Sequence, residues 1–574
     1  MSNLRIALLV IGLCAAISSA WAASRAGVQV DNFTLQDYLG ASHSLDDWRD
    51  KRAVVVVFLG TECPLAKLYG PRLNELAAEY GPQGVAFVGI DANKQDSLLE
   101  IGHYAREFKI DFPLLKDAAG HVADQFGATR TPEAFVLDPQ GRVLYHGRID
   151  DQFGVGYQRQ REVQRELATA LDEIVAGKSV STPFTEPAGC FIGRKSEKPA
   201  KGEITYTKHI AGMVDKHCVR CHRDGQIAPF TLTSYDDVSA WSETIGEVID
   251  DGRMPPWHAN PQHGHFSNDA HMPDEDKQLF REWVKNGMPE GDAADLPEST
   301  RYTGGWQIPE PDVIVKMPKP YTVQAKGTVP YQYFEVDTTF DKDVWIRGAE
   351  VRPGNHAVVH HIFLFYIPPG QEKVRGEDPL MNAVATFAPG MPAELYPDGY
   401  ARLVPAGSRL VFQVHYTPSG TEQTDQSEVG LVFADPDRDY KEIKLAVVIN
   451  EEFRIPPGDP NYPMHARHEF KRDTTLHAMM PHMHYRGKAY RFTAKYPDGK
   501  EEILLDVPRY DFNWQNLYSL AEPKLLPKGT VVECVAHFDN SADNLANPDP
   551  TQEVRWGEQT WEEMMLGSMV ISKP

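Results

Sequence analysis

The chain is poor in cysteine and in basic side chains. Its 574 residues include 6 cysteines, and 58 Lys and Arg stand against 81 Asp and Glu, which gives a formal net charge of -23. This acidic balance argues against nucleic acid as a partner. The cysteine content is too low for a disulfide-stapled scaffold, so the chain must fold around ordinary hydrophobic cores.

Long apolar runs are absent after the N-terminus, where none reaches the roughly 18 residues of a membrane helix. The first 22 residues have the pattern of an export signal, because Arg5 precedes an apolar run that closes on the small-x-small sequence Ala20-Trp21-Ala22. We therefore predict a signal peptide at 1–22 and a periplasmic or secreted protein with no membrane span after signal removal. A retained N-terminal anchor is the alternative.

Two stretches rich in Pro, Gly and polar residues divide the rest of the chain. The first region alternates strand-like runs with helix-like runs at 68–80, 97–108 and 159–176, which is the α/β pattern. The second has helical character, and the third has short apolar runs between turn residues, as in β-sandwiches. The predicted organisation is multidomain, with an α/β domain at 23–194, a linker at 195–203, an all-α domain at 204–290 and all-β tandem sandwiches at 310–437 and 438–574.

Cys63 follows a strand-like run and begins a helix-like one, a position where the helix N-terminus lowers a thiol pKa. Further on, Thr131-Pro132 precedes another strand-like run. Together these features resemble the thioredoxin-like proteins over most of residues 28–178. The resemblance implies a cis-proline that faces the thiol.

The thiol motif is incomplete, because Ala66 stands where a C-x-x-C dithiol needs its second cysteine. Cys190 is a distant candidate partner for Cys63. A bond between these two candidate redox thiols would be structural or redox-active, and inert thiols are the alternative.

Residues 218–222 form the sequence C-x-x-C-H, which attaches c-type haem. Cys218 and Cys221 would form thioethers with the porphyrin, and His222 would bind the iron. We therefore predict one covalent haem and a cytochrome c-like domain. Met254 is the predicted sixth ligand, because small monohaem cytochromes c place their axial methionine at this point. The alternatives are Met272, Met288, His258, His263, His265 and His271.

Histidines cluster in the β-rich region at 360–361, at 415 and in the H-x-H sequence of residues 482–484. The period of two in H-x-H places both imidazoles on one face of a strand. Adjacent residues face opposite ways, so His360 and His361 can share a metal only at a bulge or a strand end. Imidazoles with a methionine thioether suit copper, and satisfied core histidines are the alternative.

In order and context, these clusters resemble the copper type II, ascorbate-dependent monooxygenases over about residues 310–574. The sequence features that carry the resemblance are His-His before an apolar run, Gln-x-His-Tyr, His-x-His before Gly-Lys, and a late Glu-Met. The resemblance implies two coppers, of which the first stores electrons and the second binds O2 beside the substrate. The implied ligands are His360, His361 and His415 for the first copper and the catalytic His482, His484 and Met564 for the second, with Met565 as the alternative to Met564.

The order of the three regions also resembles a family of exported three-domain bacterial proteins. We therefore expect an oxidoreductase that hydroxylates a small organic molecule or a peptide with O2. Its electrons would come from an ascorbate-like reductant or a redox protein through the fused haem. A non-catalytic electron-transfer or copper-handling protein is the alternative.

Overall fold

The computed structural model describes residues 24–159, 161–194, 200–298, 305–375, 378–391 and 393–574. The predicted signal peptide lies outside these residues, as does most of the predicted linker at 195–203. In the described part of the chain, no helix combines the length and the apolar character needed to cross a bilayer.

Residues 24–194 form an α/β unit around a mixed seven-stranded sheet of order β2-β1-β5-β4-β3-β7-β8. Strand β3 (Ala53–Leu59), which lies between β4 and β7, is a run of buried apolar residues whose side chains alternate between two hydrophobic cores, one on each face of the sheet. The α/β prediction is therefore confirmed. The elements are β1 (Thr34–Asp37), β2 (Ser42–Ser44), β3 (Ala53–Leu59), α1 (Pro64–Tyr80), β4 (Val85–Asp91), α2 (Leu98–Glu107), β5 (Leu114–Lys116), α3 (His121–Phe126), β6 (Arg130–Thr131), β7 (Glu133–Leu137), β8 (Val143–Gly147), β9 (Phe153–Gly154), β10 (Tyr157–Gln158), α4 (Glu166–Val175) and β11 (Cys190–Phe191).

The helix predicted at 159–176 is too long, since α4 begins only at Glu166. The Asp151 carboxylate accepts hydrogen bonds from the backbone N–H groups of Val163, at 2.7 Å, and Gln164, at 2.8 Å. These bonds hold the preceding residues in a loop, because a side chain that binds backbone N–H groups competes with the helix.

Residues 200–298 form a helical unit with one hydrophobic core, in which Phe280 and Trp283 are fully buried. The C-x-x-C-H sequence follows α5 as one further turn, in which the N–H of His222 bonds to the carbonyl of Cys218 at 2.9 Å. The helices are α5 (Ala211–His217), α6 (Tyr235–Ala240), α7 (Ser242–Asp250) and α8 (Asp274–Lys285).

Residues 305–442 form the first β unit, in which strands β12, β22, β15, β19 and β23 make one sheet, with β18 beside β15, and β14, β20, β16 and β17 make another. Buried side chains from both sheets share one core. The elements are β12 (Val313–Lys316), β13 (Tyr321–Val323), β14 (Gln332–Thr339), β15 (Val344–Arg352), β16 (Val359–Ile367), α9 (Asp378–Met381), β17 (Ala383–Phe387), β18 (Glu394–Leu395), β19 (Tyr400–Val404), β20 (Arg409–Tyr416), β21 (Gln423–Asp425), β22 (Glu428–Phe433) and β23 (Lys441–Glu442).

Residues 444–572 form the second β unit from two four-stranded sheets, of order β24-β31-β26-β29 and β25-β30-β27-β28. Both sheets contribute to one core, which includes the fully buried Cys534, so this lone cysteine is a core residue. The strands are β24 (Lys444–Asn450), β25 (Tyr462–Glu469), β26 (Thr474–His482), β27 (Gly487–Lys495), β28 (Glu501–Val507), β29 (Tyr518–Leu526), β30 (Val531–Phe538) and β31 (Met565–Ser572).

The segment between α7 and α8 forms backbone hydrogen bonds with the second β unit. The N–H of Asn260 bonds to the carbonyl of Asp506 at 2.8 Å, and the N–H of Ser267 bonds to that of Ser519 at 2.8 Å. This backbone pairing places the residues after Met254 against β28 (Glu501–Val507) and β29 (Tyr518–Leu526), and β29 pairs with β26, the strand that ends at His482.

Candidate metal and thiol sites

A bulge brings the first three histidines together. His360 and His361 lie on β16, where the pairing with β20 shifts between Val359 and His361, and His361 then stands opposite His415. One nitrogen of each imidazole lies within 4.8 Å of one from each of the others, and the Nδ1 atoms of His360 and His361 are 3.2 Å apart. The bulge is the irregularity that two adjacent histidines need to face one centre.

Burial keeps these three imidazoles uncharged. Burial, with the neighbouring His415 and His482, lowers the pKa of His360 to about 3, and the same causes hold the pKa of His361 well below its usual value. The pKa of His415 is lowered to about 4, and its Nδ1 is buried with no hydrogen-bond partner. Neutral imidazoles with an unpartnered nitrogen form a donor set that suits copper.

The H-x-H histidines lie at the end of β26, with ring centroids 5.2 Å apart. His482 Nδ1 lies 2.6 Å from Gln515 Oε1, and His484 Nδ1 lies 3.3 Å from the carbonyl oxygen of Glu562. Each Nδ1–H therefore donates to an oxygen, which leaves each Nε2 as the nitrogen available to a metal.

Burial separates the two candidate methionines. Leu566 stands opposite His482 in the last pair of the β26–β31 ladder, so His484 lies two residues beyond the end of β26 and Met564 lies one residue before the start of β31. Met565 is fully buried in the core, whereas Met564 is partly exposed. The buried Glu563 carboxylate accepts hydrogen bonds from the N–H groups of His484, at 2.8 Å, and Met564, at 3.3 Å, and so ties the two strands together.

The Phe512 ring contacts both histidine groups. The Phe512 ring stacks on His360 with centroids 4.9 Å apart and meets His484 edge-on at 6.0 Å. The ring centroids of His360 and His484 are therefore no farther apart than the sum of these two centroid distances. A cavity of about 760 Å³ adjoins Phe512 and His360 and is lined by residues of all four units, Tyr157 and Arg253 among them.

The C-x-x-C-H residues suit a covalently attached haem. His222 Nδ1 lies 3.1 Å from the carbonyl oxygen of Phe230, so its Nε2 is available to iron. Cys218 and Cys221 are free thiols, as thioether formation requires. Met254 belongs to neither adjoining hydrophobic core, whereas the alternatives Met272 and Met288 are buried in the core of the helical unit.

The structure brings the two candidate redox thiols together. Cys63 caps the N-terminus of α1, and Cys190 lies on β11, which pairs with β6 beside the predicted cis peptide bond Thr131–Pro132. The Cys63 Sγ lies 2.9 Å from the carbonyl oxygen of Thr131. Burial opposes ionisation of Cys63, yet hydrogen bonds from Cys190, from Thr131 and from the N–H of Ala66 lower its pKa to about 6.

Two residues that contact these sites have no motif of their own in the sequence. Gln515 and Phe512 lie in a loop far from either histidine cluster in sequence, and their roles depend on tertiary contacts. Glu563 belongs to the late Glu-Met of the sequence, but its hydrogen bonds to the backbone of His484 and Met564 could not be predicted from that pattern.

Comparison with known proteins finds relatives of the α/β unit. The AhpC/TSA family matches residues 26–146. The thiol-disulfide oxidoreductase ResA of Halalkalibacterium halodurans is 30% identical over 121 residues, which is 21% of this chain and 67% of that protein. ResA of Geobacillus thermodenitrificans is 32% identical over 117 residues, 20% of this chain and 66% of the relative.

Among solved structures, a hypothetical protein from Sinorhizobium meliloti 1021 is 32% identical, with a TM-score of 0.28. The match covers 29% of this chain and 94% of that one. An uncharacterized conserved protein from Geobacillus kaustophilus is 28% identical, with a TM-score of 0.28, over 30% of this chain and 93% of that one.

Proposed function

Since residues 26–146 of this chain belong to the AhpC/TSA family of thioredoxin-like proteins, we propose that the chain is an exported oxidoreductase that joins a thiol domain and a c-type haem domain to a copper monooxygenase. It hydroxylates an organic substrate, a small molecule or a peptide. One oxygen atom of O2 enters a C–H bond, and the other leaves as water at the expense of two electrons and two protons.

The observation that carries this proposal is the pair of histidine groups that the Phe512 ring contacts. One group offers three neutral imidazoles, and the other offers two imidazoles, with the partly exposed Met564 just before the neighbouring strand β31. Bound copper would supply electron storage and O2 activation at such sites. The cavity of about 760 Å³, which is lined by His360 of the first group and by Phe512, has the size of a small-molecule site.

Each group has its own positioning contacts. Gln515 and the carbonyl of Glu562 fix the ring orientations of His482 and His484. Tyr331 packs its ring against His415, with centroids 5.0 Å apart, and its hydroxyl donates to the carbonyl of Glu558 at 3.2 Å. The loop that precedes Met564 is thus attached to the first histidine group as well as to the second.

A short covalent and hydrogen-bonded route supports electron entry from the helical unit. The side-chain amide of Asn516 donates to the carbonyl of Pro256 at 2.7 Å, two residues after the predicted iron ligand Met254. The preceding residue in the chain, Gln515, bonds directly to His482. A haem would supply one electron at a time to this route, so each hydroxylation needs two successive transfers.

The test is O2 consumption by copper-loaded, haem-reduced protein against a panel of small organic compounds and peptides. With ¹⁸O2, we expect the product to gain one labelled oxygen and water to take the other. His482→Ala should abolish the reaction. His465→Ala is the matched control, because His465 is an exposed histidine on β25 of the same unit.

Two results would contradict the proposal. Zinc at both histidine groups would exclude redox chemistry there, because zinc has no accessible second oxidation state. Copper that cycles between oxidation states without substrate-dependent O2 uptake would favour the electron-transfer or copper-handling alternative.

A further inference from the structure

The α/β unit keeps one half of a dithiol motif, since Cys63 caps α1 and Ala66 occupies the place of the second cysteine. Its other half comes from a segment outside the family match. Cys190 lies beyond residue 146, on a strand that follows α4 and leads into the helical unit.

Backbone pairing fixes the position of Cys190 over Cys63. Cys190 stands opposite Thr131 in the β11–β6 pair, and the carbonyl of Thr131 lies 2.9 Å from the Cys63 sulfur. Cys190 also packs against the hydrophobic core that contains Cys63. The register of the β11–β6 pair and this packing bring the two cysteines to the same place in the fold.

The strand that carries Cys190 is anchored on both sides of the cysteine. After it, the N–H of Ile192 bonds to the carbonyl of Thr129 at 2.9 Å, and the N–H of Gly193 bonds to the side chain of Asn93 at 2.9 Å. Before it, the carbonyl of Gly189 accepts a hydrogen bond from the Arg130 side chain at 2.7 Å. Cys190 is therefore held at the thiol by the fold itself.

The same strand touches the helical unit. The N–H of Phe191 bonds to Thr244 Oγ1 at 3.0 Å, and the Arg130 guanidinium pairs with Glu247 at 3.1 Å. Cys190 packs against the cores of both units. Any bond between Cys63 and Cys190 thus forms at the junction of the α/β and helical units.

We propose that Cys63 and Cys190 are a reversible thiol–disulfide couple, with Cys190 in place of the missing C-x-x-C cysteine, and that the couple exchanges with small disulfides and thiols. Cys190 is partly exposed whereas Cys63 is 1% exposed, so Cys190 meets the small disulfide first. This assignment is independent of copper and haem.

The exchange balances in two steps. The Cys190 thiol loses its proton to a solvent base as it attacks the small disulfide, which releases one small thiolate and leaves a mixed disulfide on Cys190. The Cys63 thiolate then attacks the Cys190 sulfur, which releases the second small thiolate and forms the protein disulfide. Two protein thiols are oxidised, and one small disulfide is reduced to two thiols. The lowered pKa of Cys63, about 6, supplies the thiolate at neutral pH.

The experiment equilibrates the full-length native protein in buffers of graded 2-hydroxyethyl disulfide and 2-mercaptoethanol. Acid quenching, denaturation, alkylation and peptide mass spectrometry then follow each cysteine. We expect one peptide pair linked through Cys63 and Cys190 whose amount rises with the disulfide ratio and falls again when the ratio is reversed. Cys534 is the internal standard, because it is buried in the core of the second β unit and should alkylate fully at every ratio.

Single variants test the order of attack. Cys63→Ala should trap a mercaptoethanol adduct on Cys190, whereas Cys190→Ala should leave the buried Cys63 unmodified in the native protein. Cys190→Ala should also raise the midpoint of the Cys63 thiolate absorbance above pH 6, because its hydrogen bond is lost. Cys190→Ser keeps a donor and should retain most of the shift.

Three results would overturn the proposal. If both cysteines stay fully alkylatable at every ratio, they do not form a thiol–disulfide couple. If the wild type accumulates mercaptoethanol adducts without the linked peptide pair, the two thiols do not reach each other. A linked pair that mercaptoethanol reduces only after denaturation would be a structural disulfide.

Discussion

The two histidine groups are built in different ways. The first takes its imidazoles from two paired strands, and a bulge turns adjacent residues toward one centre. The second takes two imidazoles from the end of a single strand, each with its Nδ1 held by an oxygen, and depends on the next strand for Met564. All proposed ligands of the first group lie in one sheet. The second group is complete only if Met564, beside the end of the neighbouring strand, contacts its metal. Catalytic metal sites more often have the second, more open character.

The largest effect should come from removing one imidazole of either group. His415→Ala and His482→Ala should each reduce copper from two to one per chain and lower turnover by at least about a hundredfold, since loss of even an outer contact costs 10 to 100-fold. Metal analysis with electron paramagnetic resonance would show which copper remains. Loss of both coppers from either variant would mean that the two histidine groups form one metal centre.

Residue pattern alone could predict part of this difference. The period of two predicts that His482 and His484 share one face of a strand. In the structure β26 ends at His482, and the two histidine rings lie 5.2 Å apart. The bulge at His361 could not be predicted, because it depends on how β16 pairs with a strand about fifty residues later. Cys190 was a candidate partner for Cys63 in the sequence, but its position could not be predicted, because the two cysteines are 127 positions apart and the β11–β6 pairing brings them together.

The two methionines should separate ligation from packing. Met564→Ala should abolish turnover while the copper at the first group stays reducible, because the second site loses its soft ligand for Cu(I). Met565→Ala should keep copper at both groups but lower the free energy of unfolding by about 2–5 kcal/mol, as expected for a fully buried methionine. Activity measurements and denaturant unfolding on both variants decide the matter. Full activity in Met564→Ala would move the assignment to Met565.

Gln515 tests whether hydrogen bonding to an imidazole matters more in the second group. Gln515→Leu removes the oxygen 2.6 Å from His482 Nδ1 and should weaken copper binding there by about 10 to 100-fold, with little change at the first group. Gln515→Glu keeps an acceptor and should restore most of the affinity. Copper titration with competing chelators gives both constants. Equal weakening at the two groups would show that the loop supports the fold rather than the site.

Variants on the electron-entry route should change turnover with one electron donor and not with another, while the metal content stays the same. Met254→Ala should slow turnover driven by a reduced protein donor by about tenfold, a barrier increase of about 1.4 kcal/mol, and should spare turnover driven by ascorbate. Asn516→Ala tests the contact to Pro256 with the haem ligands intact, and should act in the same direction. Stopped-flow reduction of haem and of copper gives the two rates. Loss of both activities with the fold intact would place the haem in the catalytic site.

The smallest effect should come from the thiol. Cys63→Ser should change oxygenase turnover by less than about threefold, which is under 1 kcal/mol of barrier. We expect a small effect because the thiol and the histidine groups lie in different units. Cys63 is buried in the core of the α/β unit, whereas the histidine groups belong to the two β units, which have their own cores. Serine keeps a donor toward Thr131, so folding and metal content should persist, and both are measured as controls. A loss greater than about tenfold with those controls unchanged would mean that the Cys63–Cys190 couple delivers electrons to the copper groups, and the α/β unit would then be part of the oxygenase cycle.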